Sequence, residues 1–218
     1  MCGITAWAGK SPKHFNKLEF DTILKFNDSR GGDSVGVATD GEIYYGIDKN
    51  KSYENFIINQ NYLLPQVVPT VIGHARRQSV GLANIHNAHP FGIGELDEGI
   101  HFIGCHNGTL TNHIELAKKY NVDNNVNDEN NKFIRSKNDS EILLEILFNE
   151  MEIDVLEEYI GGAALVFQNL ENPNIIYAFK GASKKETTDI GTLLYEERPL
   201  YYYQKSRNSV YISSMIEP

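Results

Sequence analysis

Apolar residues alternate with small or polar ones at both ends of this chain, while its middle carries helical spacing. Gly3 to Ala8 reads as a buried strand ending at Gly9-Lys10, and Leu18 to Asn27 as a helix. Ser34 to Thr39 and Glu42 to Ile47 flank Asp40-Gly41, a hairpin signal because both turn residues must accept positive φ. Val67 to His74, entering at Pro69, and Ile100 to Cys105, ending at His106-Asn107-Gly108, read as two further buried strands. Asn112 to Tyr120 and a segment capped by Asn138 read as helices. In the second, Glu141 sits at the capping-box position and Ile142, Leu143, Ile146 and Leu147 share one face. The last third returns to strands, Ala163 to Phe167 with Ile175 to Phe179 and Leu200 to Gln204 with Ser209 to Ser213. Strands, then helices, then strands predict an α+β fold with antiparallel sheets, not the strand–helix rhythm of a doubly wound fold.

Several function classes drop out on size and charge. A chain of 218 residues fits one domain over 1–218 and is long enough to bury a core without disulfides or a structural metal. Its 41% hydrophobic and 22% charged residues exclude wholesale disorder. The net charge of −9 argues against a nucleic-acid partner, which calls for a basic stripe. No apolar run is long enough to span a membrane, and Met1 to Thr5 lacks the pattern of a secretory signal. Two cysteines, Cys2 and Cys105, make no disulfide framework, so a reducing, cytoplasmic location is expected. Asn121 to Asn131 is Asn-rich and places Asp123, Asn125 and Asn127 at calcium-loop spacing. Asp128 stands where that loop needs glycine and Ile134 where it needs a bidentate Glu, so the segment reads as a solvated loop and no metal site is expected.

Four segments carry residue types suited to chemistry. Cys2 becomes the N-terminal residue if Met1 is removed, and a free α-amine (pKa ~7.7–8.0) beside a thiol (~8.5) supplies base and nucleophile in one residue. A Cys–His pair stays open, because seven histidines are present and no spacing singles one out. Gly73 to Gly81 holds Arg76, Arg77 and Ser79 in a strand-to-loop run suited to binding a carboxylate, or to a plain solvated basic loop. Asn107-Gly108 offers two adjacent N–H donors of the kind an oxyanion hole uses, although Asn-Gly is also an ordinary turn. Asp139 lies in the first turn behind the Asn138 cap, where its carboxylate can also face a bound ammonium.

In order along the chain, Cys2-Gly3-Ile4, Arg30 to Gly36, Gly73-His74-Ala75-Arg76, Asn87-Ala88-His89-Pro90, His106-Asn107-Gly108 and Asp139-Ser140-Glu141 resemble the class II glutamine amidotransferase domain. This is the N-terminal-nucleophile type found in glucosamine-6-phosphate synthase and amidophosphoribosyltransferase. Gly161 to Leu165, Arg198-Pro199-Leu200 and Tyr211 to Ser214 extend the resemblance over the whole chain.

The resemblance implies a four-layer αββα sandwich that splits L-glutamine into glutamate and ammonia without a cofactor. Carried over by position, Cys2 is the nucleophile, and Asn107 and Gly108 hold the oxyanion. Arg76, helped by Ser79, binds the α-carboxylate and Asp139 the α-ammonium, while Arg30 and His74 support the site. Arg77 departs from the resemblance, standing where relatives often carry Trp or Tyr beside the loop that closes over glutamine. No synthase segment follows, so a separate synthase or transferase is expected to take the ammonia. Two rival readings stand beside this one. The chain is a stand-alone amidase for another amide, or a non-catalytic interaction module if Met1 is retained.

Overall fold

The parity of side chains along the first strand sets the layering of the molecule. In the computed structural model, which describes residues 2–30, 32–48, 52–59, 65–77, 87–94, 99–122, 138–150, 153–182, 186–188, 191–193 and 198–216, that strand is β1 (Gly3–Gly9). Its even residues Ile4 and Ala6 pack with Ile72, Ile103, Cys105 and Val166, whereas odd Trp7 packs with Phe20, Leu24, Val35 and Phe56. One strand thus faces two different cores, and each large apolar side chain so buried contributes about 1.5–3 kcal/mol.

The elements follow as α1 (Lys17–Asp28), β2 (Ser34–Thr39), β3 (Glu42–Ile47), α2 (Ser52–Asn59), β4 (Thr70–Arg76), β5 (Phe91–Ile93) and β6 (Phe102–Leu110). Next come α3 (His113–Lys119), α4 (Asp139–Glu150), β7 (Gly161–Asn169) and β8 (Tyr177–Ala182). A small hairpin, β9 (Glu186–Thr188) with β10 (Gly191–Leu193), precedes β11 (Tyr201–Ser206) and β12 (Ser209–Ser213). A six-stranded sheet has the order β11-β12-β1-β4-β2-β3, and a four-stranded sheet the order β5-β6-β7-β8, with every neighbouring pair antiparallel. Phe20 and Leu24 of α1 and Phe56 of α2 cover the outer face of the larger sheet. Leu116 of α3 and Ile142, Leu143 and Leu144 of α4 cover that of the smaller one. A third cluster fills the space between the sheets. Helices, sheet, sheet, helices is the αββα order, so the α+β expectation and its four layers hold.

Local signals explain most boundaries. The side chain of Asn16 accepts the Glu19 N–H at 3.2 Å and caps α1. Asp40 (φ 52°) and Gly41 (φ 83°) turn the β2–β3 hairpin as their residue types require. The strand expected over Val67–His74 instead runs Thr70–Arg76. The Asp40 carboxylate accepts the N–H groups of Gln66 (2.6 Å) and Val68 (2.8 Å), holding the lead-in out of the sheet. At the other end, Arg76 is kept in the ladder opposite Ser34.

The strand expected to stop at Cys105 continues through His106-Asn107-Gly108 to Leu110. A nine-residue register with β7 draws Asn107 opposite Ala164 and Gly108 opposite Ala163, and this pairing overrides the local turn preference of Asn-Gly. Four elements, α2, β5, β9 and β10, carry too short a pattern to be read in advance. Helix α2 is anchored by Phe56 and by the Ser52 hydroxyl, which donates to Asp28 at 3.1 Å. Tyr201–Tyr203 are strand residues, all exposed, on the edge strand β11. Most of the Asn-rich segment, with its calcium-loop spacing at 123–134, lies outside the described residues. Among the described residues, no helix is long and apolar enough to cross a membrane.

Candidate active site

Parity also decides which polar residues meet between the sheets. Cys2 has the inward parity of Ile4, His74 and Arg76 that of Ile72, and Asn107 that of Ile103 and Cys105. The β1–β4 register sets Gly3 opposite Ala75 and Ile4 opposite His74, so the chain at Cys2 runs alongside the end of β4. There Cys2 Sγ accepts the Arg77 N–H at 3.3 Å and lies 3.4 Å from the Arg77 carbonyl oxygen, within reach of an S–H donor. Gly3 has no room for a side chain, because a Cβ there would sit 2.5 Å from that of Asn27. The Asn27 side chain, fully buried, donates to Ile4 O at 3.1 Å, Thr5 Oγ1 at 2.8 Å and Ser213 Oγ at 3.1 Å, tying α1 to the strands behind Cys2.

Asn107 is a polar link from the smaller sheet to the larger one. Its Nδ2 donates to the Cys2 carbonyl at 3.1 Å and to Ser214 Oγ at 3.0 Å, while Oδ1 lies 2.7 Å from His74 Nε2. Rotating the amide by half a turn would set Oδ1 against the Cys2 carbonyl, so the contacts fix one orientation. Oδ1 can only accept, which places the imidazole hydrogen of His74 on Nε2. Gly108 follows directly, where a Cβ would lie 2.0 Å from the Gly162 carbonyl oxygen and 2.5 Å from His106 Nε2.

Opposite charges act on each other at the same end of the molecule. Arg76 is buried, which lowers its pKa, and the charges of Cys2, Asp33 and Asp139 act in the other direction. Asp139 opens α4 behind its Asn138 cap, whose side chain accepts the Glu141 N–H at 3.0 Å, as the sequence predicts. The Asp139 carboxylate also accepts the Leu110 N–H at 2.9 Å, fixing the helix start to the end of β6. Arg30 donates to the Ser214 carbonyl at 2.6 Å; burial lowers its pKa, and the Cys2 charge opposes that shift.

Three histidines fill the neighbouring interior. His74 stacks on His89 with ring centroids 4.4 Å apart, and His106 Nδ1 lies 2.8 Å from Ser140 Oγ. Burial pulls His74 down to about 3 and His106 to about 4, and holds His89 well below its ordinary value. All three are therefore neutral near pH 7. Cys105, by contrast with Cys2, is fully buried in the inter-sheet cluster, and burial pushes its thiol pKa up, which makes it inert.

The structure thus brings Cys2, Asn107, Gly108, Arg76, Asp139, Arg30 and His74 to one end of the inter-sheet space. Ser79 lies outside the described residues. Ser214, Asn27, Asp33 and Arg198 join the site without the sequence marking them as site residues. Ser214 joins four of the site's hydrogen bonds, and Arg198 is close enough to His106 and Arg30 to lower both pKa values. The sequence signal for Ser214 is its place in the Tyr211–Ser214 motif, directly after the last strand. Among the described residues, no group of three or more His, Cys, Asp or Glu is arranged to hold a metal ion.

Layer order and topology are those of the class II, N-terminal-nucleophile type of glutamine amidotransferase domain, the class that the ordered motifs resemble. The chain's homologues are enzymes of that class. It is 29% identical over 153 residues to the amidophosphoribosyltransferase of Haemophilus influenzae, covering 70% of this chain and 28% of that protein. It is 27% identical over 205 residues to glutamine–fructose-6-phosphate aminotransferase (isomerizing) 2 of Bos taurus, covering 84% and 30%. The chain therefore spans less than a third of the length of either relative. No protein-family model matches it. In structure it is similar to glutamine phosphoribosylpyrophosphate amidotransferase from B. subtilis, with a TM-score of 0.60 and 17% identity, over 98% of this chain and 42% of that one. A glutamine aminotransferase class-II domain protein from Silicibacter pomeroyi gives 0.50 at 13% identity, over 99% and 87%. At these identities the two structures establish the fold.

Proposed function

We propose that this chain hydrolyses L-glutamine to glutamate and ammonia, with Cys2 as the nucleophile. The observation that carries this reading is the contact of Asn107 Nδ2 with the backbone of Cys2, beside an Arg76–Asp139 pair of opposite charge. Removal of Met1 frees the α-amine of Cys2, which takes the thiol proton. The sulfur attacks the glutamine Cδ, and negative charge develops on the former carbonyl oxygen. Asn107, exchanging the Cys2 carbonyl for that oxygen, and the Gly108 N–H stabilise the charge. The C–N bond then breaks, the amine returns its proton to the leaving nitrogen, and ammonia departs. Water hydrolyses the γ-glutamyl thioester and regenerates the thiol.

Arg76 and Asp139 supply specificity. A guanidinium and a carboxylate close enough to act on each other suit the α-carboxylate and α-ammonium of a zwitterionic amino acid, with Ser79 as a further donor to the carboxylate. A simple acyl amide offers an ionic group to neither of them. The ammonia passes to a synthase or transferase acceptor. Replacement of Cys2 by Ala tests the assignment: glutamate release from glutamine is expected to vanish, and retained release would overturn it. Intact-mass measurement of the active protein is expected to show Met1 removed.

A further inference from the structure

We propose that Ser214 is a positioning residue for the oxyanion donor, holding one Asn107 amide hydrogen so that the other stays aimed at Cys2. This inference rests on the glutaminase reading above. An unrestrained Asn side chain has a broad terminal torsion with two nearly equivalent orientations, only one of which presents a donor to the nucleophile. In this fold the amide is held from both sides. His74 Nε2 meets Oδ1 at 2.7 Å, and Ser214 Oγ accepts from Nδ2 at 3.0 Å. What is left is the second Nδ2 hydrogen, which points to the Cys2 carbonyl at 3.1 Å.

Ser214 is itself built into the nucleophile's strand. Its hydroxyl also accepts the Ile4 N–H at 2.9 Å, and its N–H donates to the Ile4 carbonyl at 2.9 Å. Its carbonyl takes the Arg30 guanidinium at 2.6 Å. The residue is 1% exposed, so water cannot substitute for the hydroxyl. One serine therefore couples the height of the Cys2 strand to the angle of the Asn107 amide. A shift of either would misplace the donor relative to the reacting carbonyl, and misplacement on the ångström scale is worth about 100-fold in rate.

The test is a kinetic double-mutant cycle on the full chain. Ser214→Ala is expected to lower kcat for glutamate release about 10- to 100-fold with KM within about twofold. Ser214→Thr, which keeps the hydroxyl, is expected to recover most of the rate. In an Asn107→Ala background, Ser214→Ala is expected to change kcat by less than about twofold, because the group it positions is gone. An equal fold loss in both backgrounds, or a loss confined to KM, would overturn the proposal. Should Ser214→Ala fail to fold, Ser214→Cys, a near-isostere with a weak acceptor, takes its place under the same criteria. Nuclear magnetic resonance of the Asn107 side-chain amide gives a reading independent of turnover. The two Nδ2 protons are expected to be distinct and slowly exchanging in the wild type, and one is expected to lose protection in Ser214→Ala. Unchanged protection overturns the clamp, whereas lost protection in a chain that releases no glutamate overturns only the glutaminase reading.

Discussion

His74 Nε2 and Asn107 Oδ1 meet at 2.7 Å across the gap between the two sheets, a hydrogen bond that the imidazole donates from Nε2 while the amide nitrogen faces Cys2. The contact joins β4, which passes the nucleophile, to β6, which carries the candidate oxyanion donor.

Asn107→Ala removes that donor and leaves its partners on the larger sheet unsatisfied. We expect kcat for glutamate release to fall about 100- to 1000-fold. Unfolding stability should drop by about 1–3 kcal/mol as His74 and Ser214 lose their bonds. Steady-state kinetics and denaturant melts on the same protein check both.

Gly108→Ala is expected to disturb the strand pairing itself. Its Cβ would meet the Gly162 carbonyl oxygen at 2.0 Å, a backbone atom that cannot swing aside as a side chain would. The β6–β7 register must open locally, with a stability loss of about 1–3 kcal/mol. Thermal unfolding and glutamate release should fall together.

Arg76→Lys keeps the charge and loses the planar fork. KM for glutamine is expected to rise at least about tenfold, and Asp139→Asn to act in the same direction. Glutamine blocked at its α-amine should discriminate between the two variants. Asp139→Asn should lose less against the blocked substrate than against free glutamine, whereas Arg76→Lys should lose equally against both.

The buried histidines predict an acid-labile fold. His74 near 3 and His106 near 4, with His89 also lowered, bind protons in the unfolded chain before the folded one. Stability from these groups is complete above the unfolded value of ~6.5 and is lost as pH falls from there toward ~4 and ~3. Each contributes a slope of about 1.4 kcal/mol per pH unit within its window. Urea unfolding between pH 7 and pH 5 should show the steepening, and His89→Gln should reduce it by one proton.

Much was readable from sequence because it depends on nearest neighbours. Asp40-Gly41 had to turn, Asn138 had to cap α4, and the alternation in β1 had to place Ile4 and Trp7 on opposite faces. The order of Cys2, Arg76, Asn107 and Asp139 along the chain carried the resemblance, as residue types in sequence need no coordinates. Strand ends were less legible. Asn107-Gly108 looks like a turn over four residues and becomes a strand only when β7 supplies partners.

Tertiary structure alone decided which way the Asn107 amide points and which residue holds it there. Ser214 lies 107 positions from Asn107 and 210 from Ile4, and no local pattern distinguishes a serine ending a strand from one locking a site. Likewise, the neutrality of His74 follows from desolvation between two sheets, which exists only after both have closed over it. Sequence determined the chemical groups and the faces they lie on. Packing determined their orientation and protonation, because both depend on atoms contributed by distant parts of the chain.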